Sequence, residues 1–83
     1  MVAQIRIFTK KFCPGCTMTK QLMDRLKLEY QTIDISDDPA AIEALRALGY
    51  YSVPIVMVDN GSNVDGWTGF RPDKIKGLID SRT

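Results

Sequence analysis

The feature that most constrains this chain is the place of its two cysteines. Cys13 and Cys16 are the only cysteines among 83 residues, and they fall between a strand-like segment and a helix-like one. The segment from Val2 to Phe8 alternates in part and is rich in β-branched residues, which predicts a strand. Pro14 is favoured at the first position of a helix, where the N–H that proline lacks would have had no partner. The sequence therefore predicts a strand that delivers the chain to Cys13 at the start of a helix.

Apolar residues at helical spacing predict three helices. The first continues from Thr17 to Leu28, and the second is opened by Asp38-Pro39 and closed by Gly49. The third begins at Arg71-Pro72-Asp73. The side chains predicted to face the core are Met18, Leu22, Met23 and Leu26 in the first helix, Ile42, Leu45 and Leu48 in the second, and Ile75, Leu78 and Ile79 in the third.

Three further strands complete the pattern. They are predicted over Tyr30–Ile35, over Tyr51–Val58 with Pro54 inside it, and around Asn63–Gly66 in a hairpin with the preceding strand. The predicted order is βαβαββα, an α/β fold. A β–α–β start pairs its strands in parallel, and reactive groups in such sheets lie beyond the carboxyl ends of the strands, at helix N-termini. Cys13 falls at such a place.

Composition and charge predict one soluble globular domain over residues 1–83. The chain is 45% hydrophobic and 25% charged, and its length allows one modest core. Its 11 basic and 10 acidic residues give a net charge of +1 and are interspersed, so no field for nucleic acid or membrane binding is expected. The run Val53 to Val58 is far too short to cross a bilayer, and the first residues lack the features of a signal peptide. A cytoplasmic location is therefore expected.

Three roles are open to the cysteine pair. A structural disulfide closing so short a ring would contribute only about 2 kcal/mol in the chain-entropy formula. A metal site is disfavoured, because tetrahedral zinc takes four ligands and the chain has two cysteines and no histidine. An ion or a cluster would need a partner chain or an added thiol to complete its ligand set. The third role, reversible oxidation, explains more of the neighbouring residues.

In the redox interpretation, Cys13 is the nucleophile and Cys16 the buried resolving thiol. The free N–H groups and the dipole at a helix N-terminus favour the Cys13 thiolate, and Lys10 and Lys11 add positive charge nearby. Gly15 leaves the rim without a side chain, which lets a partner's backbone come close. With no histidine in the chain, a proton acceptor is not identified. The reversible disulfide is expected to work without a bound cofactor or metal.

Pro54 allows two interpretations. Proline lacks the N–H of a strand ladder, so a proline in a hydrophobic strand is most simply placed on an edge strand. Alternatively, the Val53–Pro54 bond is cis, and the backbone of Val53 is presented to a docked chain in short β-augmentation. The second interpretation makes Val53 and Pro54 partner-binding residues.

The chain also resembles known proteins. Its C-x-x-C motif, Val53-Pro54 and the βαβαββα order are similar to the thioredoxin fold in its compact glutaredoxin form, which implies a four-stranded mixed sheet flanked by three helices. Residues 43–50, 53–56 and above all 67–75, which begin W-T-G-F-R-P-D, resemble the NrdH-redoxins. The late signature of that family is Trp-Ser-Gly-Phe-Arg-Pro-Asp, and Thr68 keeps the hydroxyl of its serine. The motif C-P-G-C departs from the family's commoner Cys-Met/Val-Gln-Cys.

The resemblance implies a small dithiol electron carrier. NrdH-redoxins take electrons from NADPH-dependent thioredoxin reductase and pass them to the large subunit of class Ib ribonucleotide reductase, so these are the expected partners of a monomeric protein. Glutathione is not their usual reductant. Many glutaredoxins hold its amino group with acids in a Gly-Gly-x-Asp-Asp turn, and residues 67–70 carry no carboxylate here. Asp73 is expected to favour the N-terminus of the last helix instead.

The residues expected to bind partners surround the cysteine pair. Phe12 and Pro14 are predicted to form an apolar rim to which Trp67 or Phe70 adds one face, although either aromatic is also compatible with a core position. The predicted site comprises the catalytic residues Cys13 and Cys16 and the partner-binding residues Lys10, Phe12, Pro14, Gly15, Val53, Pro54, Trp67, Thr68, Gly69 and Phe70. Two alternatives stay open, a glutathione-dependent glutaredoxin and a non-enzymatic metal or cluster carrier.

Overall fold

The computed structural model of the protein describes residues 4–82 and has the predicted βαβαββα order. The start of the first predicted strand, at Val2, lies outside the described residues. The elements are β1 (Gln4–Thr9), α1 (Pro14–Arg25), β2 (Gln31–Asp34), α2 (Pro39–Ala47), β3 (Ile55–Asp59), β4 (Val64–Thr68) and α3 (Pro72–Arg82).

The four strands form one mixed sheet in the order β2-β1-β3-β4. β1 and β2 are parallel, whereas β3 is antiparallel to both β1 and β4. Alternate residues of each strand face opposite sides of the sheet. On one side, α1 and α3 pack through Met23 and Ile75 against a buried cluster that includes Ile7 and Val56. On the other side, α2 packs through Leu45.

This topology brings three distant segments to one end of the sheet. Phe8, near the end of β1, pairs with Ile55 at the start of β3, and Ile55 pairs in turn with Thr68 at the end of β4. The chain that leaves β1 enters α1 through the cysteine motif. The residues before β3 and after β4 therefore lie beside that motif.

Two side chains predicted to face the core are exposed instead. Met18 is 47% exposed, because α1 begins at Pro14 and its buried side chains are Cys16, Thr19 and Met23, which leaves Met18 off that face. Leu48 is 65% exposed, because it is the C-cap residue beyond the last turn of α2. A side chain at that position no longer follows the buried face of the helix.

Candidate active site

Cys13 is the N-cap of α1, and its backbone is extended there, with φ −113° and ψ 98°. Its sulfur accepts a hydrogen bond from the backbone N–H of Cys16 at 3.1 Å, and its carbonyl oxygen accepts from the N–H of Thr17 at 3.2 Å. A sulfur in this position faces the positive end of the helix dipole and an N–H that stabilises negative charge. This geometry therefore favours Cys13 as the sulfur that carries negative charge during thiol–disulfide exchange.

The two cysteines form a disulfide, and they differ in exposure. Their Cα atoms are 5.2 Å apart, which is within the range of disulfides in proteins. Cys16 is only 2% exposed, whereas Cys13 is half-buried. An incoming thiol therefore reaches the sulfur of Cys13 more readily than that of Cys16.

Pro54 lies against the first turn of α1. The Val53–Pro54 bond is cis, as the second interpretation predicted. The edge-strand interpretation is wrong, because Pro54 precedes β3 and β3 is an interior strand of the sheet. A Cβ atom added to Gly15 would lie 3.2 Å from Cδ of Pro54. The bare glycine therefore lets the cysteine motif and the buried proline approach closely.

The residues after β4 are tied to Pro54. The N–H of Gly69 donates to the carbonyl oxygen of Pro54 at 2.8 Å, and Gly69 has a positive φ of 83°. This bond extends the β3–β4 ladder beyond its last pair, Ile55 and Thr68. Thr68 and Gly69 therefore lie next to Pro54, which in turn lies against the cysteine motif.

The two aromatic residues of this segment have different positions. Trp67 is 5% exposed and belongs to the core cluster, so its ring does not form a face of the rim. Its indole Nε1 is buried without a hydrogen-bond partner, and Nζ of Lys74 lies 5.9 Å from the ring centroid. Phe70 is half-buried and packs against the same cluster. Of the two, Phe70 keeps accessible surface for a rim.

The two lysines before the motif point to different neighbours. Lys10 lines a shallow cleft together with Arg46, Tyr51 and Val53. Lys11 donates its backbone N–H to Oγ of Ser36 at 2.9 Å, and its Nζ lies 3.9 Å from a carboxylate oxygen of Asp37. The ammonium group of Lys11 therefore faces a carboxylate of Asp37.

Two supporting residues were missed in the sequence. Thr19 is fully buried, and its hydroxyl donates to the carbonyl oxygen of Gly15 at 2.8 Å, which fixes the first turn of α1. Its spacing of three residues from Cys16 was the available signal, since such residues share a helix face. Ser36 has no comparable signal, because it is distant in sequence from the loop that it holds.

Asp73 is engaged by its neighbour Arg71. The guanidinium donates from Nε to Oδ1 at 3.2 Å and from Nη2 to Oδ2 at 3.0 Å, which lowers the pKa of Asp73. Asp73 also lies in the first turn of α3, as predicted. Among the described residues, no three histidine, cysteine or acidic side chains form a group that would hold a metal ion. None of the helices in residues 4–82 has the length and apolar character to span a membrane.

A cysteine pair at a helix N-cap, in a sheet of this topology, defines a thiol-disulfide oxidoreductase of the thioredoxin fold. A family model of the glutaredoxins matches residues 5–62. The chain, which contains W-T-G-F-R-P-D at 67–73, belongs to the glutaredoxin family and within it to the NrdH-redoxins. It is 37% identical over 75 residues to the glutaredoxin-like protein NrdH of Escherichia coli strain K12, covering 90% of this chain and 88% of that protein.

Two further relatives agree with this assignment. The NrdH protein of Salmonella typhimurium is 36% identical over 74 residues, which cover 89% of this chain and 86% of that protein. The solved structure of the Escherichia coli NrdH-redoxin superimposes with a TM-score of 0.80 at 36% identity, over 90% of this chain and 93% of that chain. That protein is described as a glutaredoxin-like protein with a thioredoxin-like activity profile. The cysteine pair of this chain is accordingly a redox-active centre.

Proposed function

We propose that this protein carries electrons from thioredoxin reductase to the large subunit of class Ib ribonucleotide reductase. Residues 1–83 form one domain, which works as a cytoplasmic monomer. Its redox group is the reversible Cys13–Cys16 disulfide, and it needs no bound cofactor or metal. The observation that carries the proposal is the half-buried Cys13 sulfur at the N-cap of α1, in a chain that matches NrdH proteins along most of its length.

Reduction of the protein begins at the more accessible sulfur. A thiolate of the reductase attacks Sγ of Cys13, a mixed disulfide forms, and Cys16 leaves as a thiolate that takes up a proton. The second thiol of the reductase loses its proton and attacks the reductase sulfur of the mixed disulfide. Cys13 then leaves as a thiolate, which the N–H of Cys16 stabilises. Two electrons have passed to the redoxin, and the reductase holds a disulfide.

Oxidation by the target runs through the same sulfur. The Cys13 thiolate attacks a disulfide of the target, and one target sulfur leaves as a thiolate and is protonated. Cys16 then loses its proton and attacks Sγ of Cys13, which releases the second target thiol and restores the Cys13–Cys16 disulfide. Cys16 is close enough for this step because it lies in the first turn of α1 and Cys13 is the N-cap of that helix.

Docking uses the segments that meet beside Cys13. An extended segment of the partner pairs with the backbone of Val53 and contacts Pro54, which the bare Gly15 lets approach the first turn of α1. Phe12, Pro14 and Phe70 supply apolar contacts, and Thr68 and Gly69 complete the far side. Lys10 flanks Val53 from the other side. Trp67 supports this surface from the core.

A glutathione-dependent glutaredoxin is the second candidate. The cleft beside Val53 is lined by two cations, Lys10 and Arg46, which suit a carboxylate of glutathione. The turn after β4 offers no comparable group for its amine, because Asp73 is held by Arg71. The apolar surface around Cys13 suits a protein partner better than a charged tripeptide.

Reconstitution with purified components tests the proposal. Thioredoxin reductase, NADPH and a class Ib ribonucleotide reductase are combined, and deoxyribonucleotide formation is measured with and without this protein. We expect formation to depend on the protein and to be lost in the Cys13→Ser variant. If the wild-type protein is reduced by thioredoxin reductase but supports no deoxyribonucleotide formation, the assigned acceptor is wrong.

A further inference from the structure

Phe12 combines two features that the fold itself does not require. Its φ is +58°, a left-handed backbone conformation that is costly for a bulky residue, and its side chain is 100% exposed. A residue in this conformation persists where the surrounding structure fixes it, and such residues concentrate at functional sites.

Lys27 shows what a structural cause would look like. Among the described residues it is the other non-glycine residue with positive φ, at +59°. Its N–H donates to the carbonyl oxygen of Asp24 and that of Leu28 donates to Met23, so Lys27 is the left-handed residue of a Schellman motif that ends α1. Phe12 precedes the N-cap, where no helix ending calls for that conformation.

Local packing does not explain Phe12 either. A hydrophobic residue before an N-cap often packs against the fourth residue of the helix as a hydrophobic staple. In this protein that fourth residue is Thr17, which is exposed, and the fully exposed ring of Phe12 covers no part of the fold. The ring therefore contributes nothing to the core.

The loop before Phe12 is hydrogen-bonded to the residues that follow β2. The N–H of Lys11 donates to Oγ of Ser36 at 2.9 Å, and the N–H of Ser36 donates to Oδ1 of Asp34 at 2.8 Å. The carbonyl oxygen of Thr9 accepts from Ile35 at 2.8 Å. These bonds connect Thr9 and Lys11 to the residues at the end of β2, and so they fix the backbone that leads to Phe12.

From this we infer that Phe12 is a preformed aromatic anchor for protein partners, positioned by Ser36. The occupant is a protein that carries an apolar recess beside its own cysteine pair and takes up the ring while its sulfur meets Cys13. An aromatic side chain held in place loses little entropy on binding, and anchors of this kind dominate interface energies. A small disulfide has no such recess, so the anchor favours proteins over small disulfides. The inference rests on the proposed disulfide exchange with protein partners.

The test compares two left-handed residues. Phe12→Asn and Lys27→Asn both place asparagine, which tolerates this conformation, at a positive φ, and both are expected to raise Tm by about 2 to 5 °C. Each variant is assayed with thioredoxin reductase, with insulin under dithiothreitol, and, after prior reduction and removal of the reductant, in a single turnover with hydroxyethyl disulfide as the oxidant of its own dithiol. Phe12→Asn should lower kcat/KM with the protein partners about tenfold, mainly through KM, and with the small disulfide less than about twofold. Lys27→Asn should leave all three rates at the wild-type value, and Phe12→Tyr should keep the protein rates.

Ser36 is tested in a double-mutant cycle. Ser36→Ala should raise KM for the protein partners several-fold in the wild-type background and add nothing in the Phe12→Asn background, since the ring that it positions is gone. Additive losses would overturn the positioning role of Ser36. Equal losses with proteins and with the small disulfide, or no loss at all in Phe12→Asn, would overturn the anchor. If thioredoxin reductase does not reduce the wild-type protein, the proposed electron donor fails, and the insulin arm alone decides on Phe12.

Discussion

The backbone N–H of Cys16 donates to the sulfur of Cys13 at 3.1 Å, so Cys16, the proposed resolving cysteine, also helps to stabilise the sulfur of Cys13. The bond comes from the backbone, and a substitution of the Cys16 side chain leaves that N–H in place. Cys16→Ser should therefore keep a reactive Cys13 while it removes the second thiol.

This separation predicts the outcome of a trapping experiment. Cys16→Ser, incubated with an oxidised target, should accumulate a mixed disulfide through Cys13, whereas Cys13→Ser should trap nothing, because Cys16 is buried. Mass spectrometry of the trapped complexes identifies the bonded cysteine. Complexes joined mainly through Cys16 would reverse the two roles.

The buried face of α1 predicts contrasting effects for its two methionines. Met23 is fully buried between α1 and the sheet, so Met23→Ala should lower the free energy of unfolding by about 2 to 5 kcal/mol. Met18 is 47% exposed, and Met18→Ala should change it by less than about 0.5 kcal/mol. Urea denaturation measures both values. Similar losses in the two variants would mean that α1 does not bury the face that carries Met23 in preference to Met18.

Tyr50 and Gly66 form a steric pair outside the active site. A Cβ atom on Gly66 would lie 2.6 Å from the hydroxyl oxygen of Tyr50, too close for the side chain to stay where it is. Gly66→Ala should therefore destabilise the protein by about 1 to 3 kcal/mol, and part of that loss should be recovered in Tyr50→Phe/Gly66→Ala. Thermal unfolding of the four proteins gives the coupling. Strictly additive effects would show that the two residues do not meet.

Tyr30 provides a prediction about pH. Partial burial and the hydrogen bond from its hydroxyl to Asp24 at 2.7 Å raise the pKa of Tyr30 to about 12. Because the folded pKa lies above the ordinary value of about 10, the stabilisation is present below pH 10 and is lost as the pH rises toward 12. Phenolate absorbance, taken as the difference between wild type and Tyr30→Phe, should show this late titration. In Asp24→Asn the midpoint should move down; an unchanged midpoint would exclude Asp24 as a cause.

The sequence predicted the helix starts well, because prolines and caps act locally. Pro14, Pro39 and Pro72 each begin a helix, and Asp38 caps α2 by accepting from the N–H of Ala41. The same local reasoning was wrong for Met18 and Leu48. Their burial depends on which face of α1 turns toward the sheet and on the residue at which α2 ends. Packing against the sheet sets both.

The active site was predictable only where its chemistry is continuous in sequence. The cysteine pair is visible in four adjacent residues, whereas the contact between Gly15 and Pro54 and the bond from Gly69 to Pro54 depend on three segments meeting at one end of the sheet. The burial of Trp67 was likewise not fixed by residue type, whereas Phe12 was expected on the rim and is fully exposed. An aromatic residue that is distant in sequence from the cysteines is compatible with a core and with a rim until the neighbouring elements are placed.

The choice of electron donor tests the account most directly. Two NADPH-oxidation assays are run in parallel on the same oxidised protein, one with thioredoxin reductase and one with glutathione and its reductase, each with Cys13→Ser as the blank. We expect efficient turnover with thioredoxin reductase and little with glutathione, because the apolar surface beside Cys13 suits a protein and the turn after β4 offers no partner for the glutathione amine. Turnover with glutathione as fast as with thioredoxin reductase would contradict the assignment and establish the glutaredoxin alternative.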